Sequence, residues 1–161
     1  MNRHIVILSA LLAAFSTTTF PASLNFQFEA DRATKAIGCK SPKVTPGGDG
    51  LGALYGCITG AAQTVKFFIN ESAGTGQVKN VKLMWNDWFT DAGQGVHADK
   101  EEAQAFLGAF GKLYAPEDEQ KLSEIFFSNS NASFESDSYR IAYTYKRGPK
   151  IDERLLILTP K

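Results

Sequence analysis

The chain has 161 residues, enough for one domain or at most two small ones, and its 17 basic residues balance 17 acidic ones. Both signs are interspersed without a block of either, which argues against nucleic acid or an anionic membrane as partner, because each needs a concentrated basic surface. Small ligands and protein partners stay open.

The N-terminus reads as a targeting segment. Asn2, Arg3 and His4 form a short basic start, Ile5 to Phe15 is apolar except for Ser9, and Ser16 to Ser23 is small, polar and proline-bearing. The apolar run is about half of the ~20 residues a membrane-spanning helix needs, so a cleaved signal peptide over 1–23 is favoured over an uncleaved anchor. Cleavage falls between 16 and 23, and no cysteine sits at the junction to take a lipid. Residues 24–161 are then one exported domain, one charge on the acidic side once Arg3 is removed.

Leu24 to Gly38 opens that domain. Phe26, Ala30, Ala33 and Ile37 share a helical face and Gly38 suits the residue just past a helix end, so a helix is expected over Glu29 to Ile37. The alternation of Leu24, Phe26 and Phe28 is the competing strand signal. Cys39 and Cys57 make an even pair in an exported chain and are expected to form a disulfide rather than a metal or redox site; no CxxC occurs. Lys40 to Gly52 reads as a loop. Its Pro46-Gly47-Gly48-Asp49-Gly50-Leu51-Gly52 run has backbone freedom to wrap an anion, but lacks the Lys-Ser/Thr of a phosphate loop, and a mobile loop tethered by the disulfide is the better-supported reading.

Ala53 to Trp85 reads as a three-stranded meander: Leu54 to Thr59, Thr64 to Asn70 and Val78 to Trp85, with a glycine-bearing hairpin at 72–77. The clearest helix follows. Ala103, Phe106, Leu107, Phe110, Leu113 and Tyr114 recur at three- and four-residue steps, and Asp99 with Glu102 has the spacing of a capping box. Pro116, the acidic 117–119 and the stripe Leu122, Ile125, Phe126 mark a second helix. After a polar turn region at 128–133, Tyr139 to Tyr145 alternates. The apolar run 155–158 reads as an inner strand covered on both sides. The expected fold is α+β: a single antiparallel sheet of five to six strands with about three helices on one face, in the order α-βββ-αα-β(β)β.

Chemistry concentrates between Trp85 and Asp99. Trp85, Asp87, Trp88, Asp91 and His97 are the candidate binding residues; clustered, their flat rings and carboxylates would suit a sugar-like or cationic ligand or a protein partner. On that reading replacing Trp88 or Asp87 by alanine leaves thermal stability within about 1 kcal/mol but abolishes partner binding. The competing reading makes Trp85 and Phe89 core, Asp99 a cap, and Asp87 and Asp91 turn residues. Asp87, Asp91, His97 and Asp99 match no metal-ligand spacing, so neither metal nor cofactor is assigned. No GxSxG frames a nucleophilic serine. Two exposed features remain: a basic hairpin tip, Lys146, Arg147 and Lys150, and glycosylation sequons at Asn70 and Asn131.

The leading expectation is an exported, periplasmic or secreted, non-catalytic binding or accessory protein of the inhibitor or immunity type. Its partner would be an envelope or secreted protein, or a small ligand. The alternative is a small exported hydrolase using acidic residues of the 85–101 elbow, such as Asp87 with Glu101. A third reading, a subunit interface, would rest on a broad apolar patch on the sheet's open face.

Overall fold

The structure, a computed structural model, describes residues 24–91 and 93–161; the segment read as a signal peptide lies outside the described residues. In chain order the elements are α1 (Phe26–Ile37), β1 (Lys43–Thr45), β2 (Leu54–Thr59), β3 (Val65–Glu71), β4 (Val78–Trp88), α2 (Lys100–Tyr114), a 3₁₀ turn (Pro116–Asp118), α3 (Glu119–Phe126), β5 (Ala132–Glu135), β6 (Tyr139–Arg147) and β7 (Ile151–Pro160). All strands join one antiparallel sheet in the order β1-β2-β3-β4-β7-β6-β5. The last strand, β7, therefore slots between β6 and β4 and welds the two halves of the chain together.

The sheet has seven strands where five or six were expected. One addition, β1, lies inside the stretch read as loop and pairs Lys43–Thr45 with Leu54–Gly56. All three of its residues are exposed, so it has no apolar alternation to announce it. At the opposite edge, β5 begins inside the polar turn region. Both strands are short edges, where burial is least and pattern weakest.

The helix layer forms as its apolar stripes demand. In α1 the buried residues Phe26, Ala30, Ala33 and Ile37 are the expected face, but the helix starts earlier than Glu29 because the Asn25 side chain caps it, accepting from the Phe28 amide at 3.0 Å. Gly38 ends it in the left-handed conformation (φ 75°). In α2, Phe106 and Phe110 point inward with Ala103, Leu107 and Tyr114. Phe110 meets Phe67 of β3 edge-on at 6.1 Å between ring centroids, and Tyr114 stacks on the same ring at 6.4 Å.

The capping box does not form. Asp99 is itself left-handed (φ 59°) and makes no side-chain cap. Its carboxylate instead accepts from the amides of Ala62 and Thr64 and from the Thr64 hydroxyl, while Glu102 accepts from the Thr59 hydroxyl at 2.6 Å. Both acids thus clamp the start of α2 to the β2–β3 turn. Gly60 makes the approach possible: a Cβ there would lie 2.2 Å from the Asp99 carboxylate.

The run 155–158 is inner, as expected, but it is not covered on both sides. Leu156 and Leu158 are fully buried beneath the helices, whereas Leu155 and Ile157 are half-buried on the opposite face, outside the core. Among the described residues, no helix is long and apolar enough to cross a membrane.

Cys39, just beyond α1, is bonded to Cys57 of β2, with Cα atoms 6.0 Å apart and both residues buried. Replacing both by alanine is expected to cost about 3 kcal/mol in a urea unfolding curve, the loop-closure entropy of the 18-residue separation. An unchanged midpoint would show that the bond restrains nothing that unfolds.

Candidate functional site

Strand β4 runs three residues past Trp85, so Asn86, Asp87 and Trp88 belong to the sheet rather than to an elbow loop. Alternation then separates the candidates. Trp85 and Asp87 turn under the helix layer, 1% and 3% exposed, while Trp88 points to the opposite face. Trp85 is core: its indole N–H donates to the Ala98 carbonyl at 3.0 Å and its ring meets Phe127 edge-on.

Asp87 is the centre of a buried polar plug. One carboxylate oxygen lies 2.6 Å from His97 Nδ1, and the other accepts from Arg154 Nε at 3.2 Å. Arg154 donates through Nη1 to the Ser128 carbonyl at 2.7 Å and the Tyr143 hydroxyl at 3.2 Å, and through Nη2 to Asn129 Oδ1 at 3.0 Å. Burial works against its charge, but the Tyr143 and Asp87 oxygens more than offset this and raise its pKa above the usual guanidinium range. Asp152 stands directly across from Asp87 on β7 and accepts from the Tyr145 hydroxyl at 2.6 Å; its second oxygen is buried with no partner. The plug joins β4, β6, β7, the turn after α3 and the loop that carries His97.

The other candidates do not converge on it. Asp91 is exposed and closes a turn, accepting from the amides of Gly93 (2.8 Å) and Gly95 (3.0 Å), which hold its carboxyl below the ordinary range. His97 adopts a left-handed conformation (φ 57°) that directs its half-exposed ring back onto Asp87. Of Trp85, Asp87, Trp88, Asp91 and His97, the structure therefore brings together Asp87 and His97. Among the described residues, no three His, Cys, Asp or Glu side chains are placed to hold a metal ion.

Asp87 is therefore buried and hydrogen-bonded within the sheet rather than exposed on a surface loop. Of the acid pair named for a hydrolase, Asp87 is buried in this network, whereas Glu101 is exposed in the first turn of α2. Asp152 and Arg154 escaped the sequence reading although a signal was present. Both share the parity of Leu156 and Leu158, so two charges were bound to fall on the buried side of that strand.

A second accessible feature is the sheet face that no described helix covers. Cross-strand register sets two rows on it: Lys43, Gly56, Phe68, Lys82, Ile157, and beside them Ile58, Lys66, Met84, Leu155. Half-buried and exposed apolar side chains alternate with ammonium groups across five strands. Elsewhere on the face charge is matched across strands: Arg140 faces Glu135 and Lys146 faces Glu153. Comparison with protein-family models, with curated proteins and with solved structures finds no match for this chain.

Breaking the plug one partner at a time is expected to be costly: Asp87→Leu or Arg154→Met each strands a buried charge and should lose about 3–5 kcal/mol. The double variant removes both charges and should recover much of that loss in guanidinium unfolding. Singles that unfold like the wild type would show that the pair is not desolvated.

Proposed function

We propose that the protein is an exported, non-catalytic binding or accessory protein, and that it meets its partner through the uncovered sheet face rather than through the 85–99 segment. The observation that carries this reading is the pair of rows in which Ile58, Phe68, Met84, Leu155 and Ile157 are interleaved with Lys43, Lys66 and Lys82. Apolar area at the centre of such a patch supplies the gain from desolvation, and the flanking charge selects orientation and partner. Among the described residues, none of these three lysines forms an ion pair, so the matching surface is an acidic protein surface with apolar side chains of its own.

A second copy stacked face to face would set these lysines against themselves, which disfavours the subunit-interface reading. Three ammonium groups spread among apolar side chains are also too few and too dispersed to track a phosphate backbone. Export is supported by the character of the N-terminal segment and by a disulfide, which an oxidising compartment allows.

The test is capture from an envelope fraction with mass-spectrometric identification, comparing the wild type with Lys66→Glu/Leu155→Ser and with Glu124→Lys on the helix layer. A specific acidic partner should be retained by the wild type and by Glu124→Lys and lost by the sheet-face variant. A partner held equally by all three would place the contact elsewhere, and no specific partner at all would contradict the accessory reading.

A further inference from the structure

A different feature sits at the β1 end of the sheet. The segment 46–52, read from sequence as a mobile loop, is a tight hairpin: Gly48 and Leu51 exchange both backbone hydrogen bonds (3.1 and 2.9 Å) around Asp49 and Gly50, whose φ angles are 52° and 79°. It lies so close to the sheet that a Cβ on Gly52 would sit 2.1 Å from the Glu71 carbonyl oxygen. Between the hairpin and strands β2, β3 and β4 is a cavity of about 530 Å³.

Two lysines converge on this cavity for a structural reason. Val81, Leu83 and Trp85 point under the helices, and strict alternation would send Lys79 in with them. The register shift at Asn70/Glu71 pairs Asn70 with Asn80 and Glu71 with Val78, so Lys79 becomes the extra residue of a bulge. Val78 takes the buried place, and Lys79 lines the cavity with Lys82. Among the described residues neither ammonium has an ion-pair partner. Glu71 also lines the cavity, but its two oxygens accept from the amides of Ala53 (2.6 Å) and Gly76 (2.7 Å). Asn70 Nδ2 donates to Asn80 Oδ1 at 2.8 Å, which leaves each carboxamide with hydrogen-bonding capacity beyond that bond. On the hairpin side stands Asp49, a carboxylate without an ion pair among the described residues.

We propose that this cavity binds a small carboxylate that also carries an ammonium or hydroxyl group, as an amino or hydroxy acid does. The ligand carboxylate pairs with Lys79 and Lys82, its donor group with Asp49, and the carboxamides satisfy what remains. The cavity adjoins the docking surface and shares Lys82 with it, but ligand binding there does not require the protein partner.

The test is an NMR titration of the ¹⁵N-labelled chain at low ionic strength, with glutamate as probe and acetate as the comparison lacking a donor. Glutamate should give saturable shifts at Gly47, Gly48 and Asn80, and bind more tightly than acetate. Lys79→Gln/Lys82→Gln should weaken glutamate at least about tenfold, the loss of charge-assisted hydrogen bonds, while the rest of the spectrum keeps its dispersion. Asp49→Asn should erase the preference for glutamate over acetate. Shifts that never saturate, that scatter over lysines elsewhere, or that persist in the lysine double variant would overturn the proposal. Because Lys66 and Leu155 lie outside the cavity, their double variant should bind glutamate like the wild type.

Discussion

The fold depends on helices packing against one face of the sheet, and the contact that fixes this is the aromatic junction of Phe67, Phe110 and Tyr114. Phe67 is fully buried at the middle of β3, and two residues of α2 close on its ring from one side. Aromatic rings remove the most apolar area per residue and add a preference for edge-to-face and offset geometries, so the junction sets the height and rotation of α2 as well as contributing stability. Asp99 and Glu102 then fasten the helix start to the β2–β3 turn, and the Cys39–Cys57 bond holds the end of α1 against β2. With all three helices spent on one face, the other face of a seven-stranded sheet has no described helix to cover it.

The buried plug is a second constraint with a different cost. Carrying Asp87, Arg154 and Asp152 out of water is unfavourable; the Asp87–Arg154 attraction offsets part of this because Tyr143, Asn129 and the Ser128 carbonyl accept from Arg154, and Asp152 is held by the Tyr145 hydroxyl. An apolar replacement would serve stability as well. What the charges add is register: a one-residue slip of β7 against β4 would turn Asp152 and Arg154 to the open face and strand Asp87.

How much of this was legible depends on where each residue stands. The face of α2 could be read outright, because three- and four-residue spacing over fifteen residues has few competing explanations; the central strands were nearly as plain, whereas α1 competed with the strand-like alternation of Leu24, Phe26 and Phe28. Asp99 and Glu102 had the spacing of a capping box, and spacing alone does not reveal that the β2–β3 turn would offer those carboxylates better donors. The elbow misled for a simpler reason. The composition of 85–88 looks like a turn, yet the alternation of Val81, Leu83 and Trp85 continues to Asp87, and following it would have placed Trp88 on the far side. Edge strands β1 and β5 left no periodic trace, and the bulge that redirects Lys79 exists only in the pairing of two strands. Local sequence carries periodicity well; it carries tertiary hydrogen bonding and register poorly.

The most direct test of one-sided packing compares two neighbours on β3, Phe67 and Phe68, whose side chains leave the same strand in opposite directions. Measured by chemical denaturation, Phe67→Ala should cost about 3–5 kcal/mol, as expected for a buried ring that leaves a cavity. Phe68→Ala should cost about 1 kcal/mol, because its ring is shielded only by its neighbours within the sheet. Equal and large losses at both positions would mean that something covers the second face, and the surface assigned here to a partner would not be free to bind one.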